Sequence, residues 1–289
     1  MENRQLTIES EPSLVKPSMI LGFTGWMDGG DVSTGTVQYL VNRLGATRFA
    51  RIKPGGFYLY NFPGTMEYSA LFRPHANIQG GLIRQFDEPT NDFYSDAINN
   101  LILFIGKEPN LAWSDYAEAI FTVCQRYGVE RMVFIGSVSG LTPHTREPRF
   151  SCVISDERIK NRLEGMPIVL TDYSGPASII TYLSVEAQKR GIEMLSLVAE
   201  IPAYLQGYNP RCVEASVRCI SGIVGLHVEV TDLRELGDEF EKKVNEVLQS
   251  QPDLLDKIQK LETDYDDQVF NTDLGDLRDW LKQQGIRLE

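Results

Sequence analysis

Apolar residues along this chain follow two alternating rhythms. Short unbroken apolar stretches at Met19–Phe23, Asn100–Ile105, Arg131–Ile135 and Met194–Ala199 read as strands buried on both faces. Between them the spacing changes to three or four residues, which predicts helices over Ser33–Leu44, Ser114–Tyr127, Ala177–Lys189 and Arg211–Val224. In the last of these, Val213, Val217, Ile220 and Val224 form one stripe. Phe49–Lys53, Phe57–Tyr60, Arg149–Ile154 and Pro167–Leu170 read as further strands, and Asp156–Leu163 as a short helix. Gly45, Gly128 and Gly191 sit where helix C-terminal caps belong, and Pro176 suits a first helical turn. Strand–helix alternation with apolar strands predicts an α/β domain, a three-layer sandwich with a largely parallel central sheet.

Two regions break the rhythm. Phe62–Pro89 holds Pro63, Gly64, Pro74, Gly80 and Gly81, and only Gly81–Phe86 looks strand-like. Long irregular excursions of this kind usually serve a function or an interface. From Thr231 onward the chain carries sixteen Asp and Glu against eight Lys and Arg. There Leu233, Leu236, Phe240, Val244 and Val247 recur at helical spacing, and Leu254, Ile258 and Leu261 resume it after Pro252. The pattern predicts two amphipathic helices with an acidic outer face and a short closing helix over Asp276–Gln284. The expected division is an α/β domain over 1–230 and an acidic helical region over 231–289, either packed on the sheet domain or reaching to another subunit.

Composition narrows the function classes. The 289 residues are 42% hydrophobic and 24% charged, with a net charge of −12, as expected for a globule. That charge argues against nucleic-acid binding, which needs clustered cations on phosphates. No apolar run reaches the ~18 residues of a membrane span, and Met1–Pro12 lacks the apolar stretch of a leader, so a cytoplasmic location is expected. Cys124, Cys152, Cys212 and Cys219 show no CxxC spacing, and the three histidines are isolated. Neither metal nor cofactor is expected; the cysteines read as buried free thiols in a reducing compartment.

Candidate chemistry gathers after the strands. Gly22–Asp31 runs strand, glycine loop, helix, which brings backbone close to a neighbour or a ligand. It has neither a GK[ST] ending nor GxGxxG spacing, and Asp28 and Asp31 would repel a phosphate. It reads either as a tight turn with Asp31 helping to cap the helix, or as a binding loop using Gly25, Trp26 and Gly30 for a neutral or cationic group. Gly136–Gly140 approaches a nucleophile elbow, but Val138 stands where serine is required. His144 is a candidate general acid/base and Arg146 a candidate anion grip, with a loop held by an Arg–carboxylate pair as the alternative. Asp172, Tyr173 and Ser174 open a helix after a strand, and Glu200 and Tyr204 follow another. With Asp28 as the second candidate catalytic group, these residues predict one strand-end cleft.

In chain order, Gly22-Phe23-x-Gly25-Trp26-x-Asp28-x-Gly30, Ile105–Asn110 with Trp113, Pro143-His144-Thr145-Arg146, Tyr173-Ser174-Gly175-Pro176, and Ile201-Pro202-Ala203-Tyr204 with Asn209-Pro210 resemble the PAC2 family, named for the proteasome assembly chaperone. The match covers about residues 15–245. The resemblance implies a sandwich like that of nucleoside phosphorylases and peptide hydrolases, homo-oligomers that include trimers, and adaptor or chaperone roles beside proteasomes. Two positions depart from the pattern: Ala203 stands where relatives often carry histidine, and Leu288 where proteasome-docking tails carry tyrosine. The expected role is therefore a protein-interaction scaffold with a proteasome-related partner, leaning away from enzyme. The alternative is an enzyme or small-molecule binder that takes a nucleoside-like or amino-acid-like ligand in the cleft.

Overall fold

In the computed structural model, residues 4–283 other than Leu71 are described, with side chains through Val269. The strands are β1 (Leu6–Ile8), β2 (Ser18–Thr24), β3 (Thr47–Ile52), β4 (His75–Gln79), β5 (Leu82–Asp87), β6 (Asp92–Asp96), β7 (Leu101–Lys107), β8 (Arg131–Gly140), β9 (Phe150–Ile154), β10 (Ile168–Leu170) and β11 (Glu193–Pro202). The helices are α1 (Val32–Leu44), α2 (Met66–Ala70), α3 (Trp113–Tyr127), α4 (Lys160–Leu163), α5 (Ile179–Lys189), α6 (Pro210–Val224), α7 (Thr231–Gln249) and α8 (Pro252–Gln283).

Nine strands form one sheet in the order β1-β3-β6-β7-β2-β8-β11-β9-β10. The central four, β7-β2-β8-β11, are all parallel, while β1, β3 and β6 on one flank and β9 on the other pair antiparallel. Alternation along β2 shows why the sheet needs cover on both faces. Met19, Leu21 and Phe23 pack with α3 and α5, and Ile20 packs with α1 and α6. Gly22 falls on the α1 face, where a Cβ would lie 2.6 Å from the Ser33 carbonyl oxygen. Only glycine lets α1 approach the strand this closely. This is the expected α/β sandwich with a mostly parallel centre.

Several elements differ from the expectation. Phe57–Tyr60 is an irregular segment, not a strand: Phe57 closes a turn by bonding its N–H to Pro54 O, and the buried Phe57 and Tyr58 anchor the segment from a loop. The Phe62–Pro89 excursion contains α2 and the β4–β5 hairpin, whose β5 is exposed throughout. The separate helix expected over Asp276–Gln284 is absorbed up to Gln283 into the single α8, and the reading at Leu288 falls outside the described residues. All four cysteines are free, with Cys219 only partly buried. No described helix is long and apolar enough to cross a membrane.

Candidate functional site

Because the central strands are parallel, the loops after β2, β7, β8 and β11 share one edge of the sheet. The first loop is held from below. Ser137 donates its N–H to Met27 O at 2.9 Å and its hydroxyl to Gly29 O at 2.6 Å. Asp28 accepts from the Thr34 amide at 3.0 Å and from the Thr34 hydroxyl at 2.8 Å. Thus Asp28 satisfies an orphan donor in the first turn of α1. Asp31 occupies the left-handed region at the start of that helix and makes no capping bond, which corrects the expected cap. Burial outweighs those bonds and pushes the Asp28 carboxyl up to about 6.

Sequence reasoning missed Glu108, which organises the other half of the edge. Its Oε2 accepts from Trp26 N at 3.0 Å and its Oε1 from Ile179 N, in the first turn of α5, at 3.1 Å. Gly25, at φ +146°, leaves room for this carboxylate: a Cβ there would lie 2.8 Å from Glu108 Cβ. Trp26, on this pinned backbone, is 71% exposed, and Tyr173, on the segment that leads into α5, is 68% exposed. The signal in the sequence was Glu108 directly after a buried strand, within the Ile105–Asn110 segment.

The loop after β8 is closed rather than open. His144, 3% exposed, donates its backbone N–H to the Tyr204 hydroxyl at 2.9 Å, and its Nδ1 lies 2.7 Å from that same oxygen. Its Nε2 lies 3.1 Å from Asn245 Oδ1 on α7. With Tyr204 donating to Nδ1 and Nε2–H donating to Asn245, both ring nitrogens are used. Arg146 makes a two-pronged pair with Asp266 on α8, both bonds at 2.8 Å. Glu200 accepts from the Leu141 N–H at 2.5 Å.

The expected cleft is therefore taken up by the protein itself. His144, Tyr204 and Arg146 do come together in one region, covered by α7 and α8. Asp28 belongs to the α1 terminus, where Asn209 N bonds Gly30 O at 2.9 Å. Asp172, Tyr173 and Ser174 lie on an exposed segment. Since β10 runs antiparallel to the central strands, its end points away from their edge, and residues 171–178 travel back to it. There the Tyr173 hydroxyl donates to Pro176 O at 3.1 Å, and Ser178 reaches Met27. Among the described residues no hydrogen bond ties Asp172 or Ser174 to the His144 loop, and no cluster of metal-ligating side chains exists.

The family model described as PAC2 family matches residues 22–248, which run from the end of β2 through β11, the pinned loops and nearly all of α7. The chain belongs to the PAC2 family. A Mycobacterium tuberculosis protein of unknown function superposes on this PAC2 chain with a TM-score of 0.82 at 19% identity, covering 96% of this chain and 94% of that one. A proteasome-assembly chaperone homologue from the same organism gives 0.69 at 23% identity, covering 79% and 94%. An archaeal proteasome activator from Pyrococcus furiosus gives 0.60 at 19% identity, covering 84% and 97%. At these identities the likeness establishes shared fold. No curated protein matches the sequence.

Proposed function

We propose that this PAC2 chain is a protein-binding scaffold or assembly chaperone that works through its strand-end edge, in the cytoplasm, on a proteasome-related partner. One observation carries the reading: Trp26 is largely exposed on a loop whose backbone Glu108 holds, and Tyr173 is largely exposed on the segment leading into α5, whose first amide Glu108 also holds. Large exposed aromatics on rigid backbone are the residues that dominate protein interfaces. The proteasome connection rests on the named relatives, two of which are a chaperone homologue and an activator. A catalytic role has less support, because both His144 nitrogens and the Arg146 fork are already bonded.

The paired substitution Trp26→Ser and Tyr173→Ser is expected to weaken partner capture by roughly 30-fold, the effect of losing about 2 kcal/mol at an interface centre. Pull-down from the native host with mass spectrometry should recover a proteasome-related protein with the wild type and lose it with the variant. Recovery of nothing besides the chain itself would retire the reading.

Self-association is a second expected property. The β4–β5 hairpin exposes Ile78, Leu82, Ile83 and Phe86, and a two-stranded sheet with both edges open is marginal alone. Light scattering at micromolar concentration should give a multiple of the 32.6 kDa chain mass. A value of one chain mass would reject it.

A further inference from the structure

Helix α8 touches the body mainly through polar groups. Up to Val269, Ile258 is its one fully buried apolar side chain, with Leu254, Leu255 and Leu261 partly covered. Its other contacts converge on the loop after β8. The Thr145 hydroxyl donates to Glu262, and Arg146 grips both Asp266 oxygens at 2.8 Å. Arg149 donates to Gln268 at 2.8 Å, and its guanidinium lies 4.1 Å from the Tyr265 ring centroid. The Tyr265 hydroxyl donates to Glu147 O at 2.8 Å. Glu262, Tyr265 and Asp266 stand at i, i+3 and i+4, one face of the helix. A planar guanidinium fork on a carboxylate and a second one over an aromatic ring form a recognition pattern, not generic packing.

We propose that Thr145–Arg149 is a docking site for an acidic helix of the pattern Glu-x-x-Tyr-Asp, that α8 fills it in cis, and that a partner protein's helix of the same chemistry displaces α8. The inference rests on the protein-binding reading and names the partner's chemistry at a second surface. Exchange is feasible because the holding pairs are partly solvated: the Arg146 side chain is 34% exposed and that of Asp266 52%. Such exposed pairs hold weakly and weaken further with salt. Ser250 and Gln251 link α8 to α7, so the cis helix competes at an effective concentration of the order of millimolar. A trans helix that is also anchored elsewhere on the molecule can exceed that.

The test uses the full chain and a labelled peptide of residues 252–269. The double substitution Glu262→Gln and Asp266→Asn weakens the cis helix. Fluorescence anisotropy should then show the peptide binding this variant at least ~10-fold more tightly than it binds wild type. Adding Arg146→Ala should remove most of that gain, and raising salt should weaken binding in both. Equal binding to variant and wild type, or binding indifferent to Arg146, overturns the proposal. So does a dimer dispersed by Arg146→Glu, since α8 would then be exchanged between two copies. Trp26→Ser should leave peptide binding unchanged, so a wild-type chain that captures no partner yet still shows this peptide binding retires only the strand-end reading.

Discussion

Replacing Asn91 with alanine is expected to lower unfolding free energy by about 3 kcal/mol. Asn91 is 1% exposed and lies between the end of β3 and the end of β7. Its Oδ1 accepts from the Tyr58 hydroxyl at 2.8 Å, the Tyr116 hydroxyl at 2.8 Å and the Lys107 amide at 3.0 Å. Its Nδ2 donates to Ile52 O at 3.4 Å. Alanine takes the acceptor from the part-buried Lys107 N–H and leaves two buried hydroxyls sharing one remaining acceptor, Lys107 O. Each stranded buried donor costs about 1–3 kcal/mol, and the lost side-chain volume adds to that. Urea denaturation should show a lower midpoint with an unchanged slope. Tyr58→Phe keeps the ring and loses one bond, so about 1 kcal/mol is expected there. A loss below about 1 kcal/mol for Asn91→Ala would sink the network account. The network matters for function because Lys107 immediately precedes Glu108, the residue that pins Trp26 and the start of α5.

Asp28→Asn is expected to stabilise the protein at pH 8 by about 1–3 kcal/mol, with the gain vanishing near pH 4. The carboxyl titrates at about 6 in the fold against an ordinary 3.8, with burial as the main cause. Below 3.8 both states carry the proton. Between 3.8 and about 6 the unfolded chain releases it while the folded chain holds it, so stability falls as pH rises through that window. Above about 6 the full penalty remains, near 1.4 kcal/mol for each pH unit of the gap, or roughly 3 kcal/mol at most. Asparagine keeps the acceptor for the Thr34 amide, and its own amide can donate to the Thr34 hydroxyl. Paired urea titrations at pH 8 and pH 4 measure the difference. A variant less stable than wild type at pH 8, or a gain equal at both values, would show that the charge is not penalised.

The buried strands were legible because each must be apolar on both faces, which leaves a continuous local signature at Met19–Phe23, Arg131–Ile135 and Met194–Ala199. The antiparallel β6 escaped because Asp92, Ser95 and Asp96 interrupt Phe93, and burial there comes from neighbours far along the chain. Phe57 and Tyr58 misled for the opposite reason. They are apolar to fill the core beside Tyr116, yet the turn that delivers them is not extended.

By itself, then, the sequence determined the alternation of strands and helices, the glycine positions that permit close approach at Gly22 and Gly25, and the family of the chain. Those properties are written in residues near one another. Only the three-dimensional structure decided that β10 runs against the central strands, that Glu108 ties together loops lying 82 and 71 residues away, and that α8 occupies Arg146 from 120 residues downstream. Charge pairing and strand direction depend on which distant segments meet, and neither leaves a periodic trace in the chain.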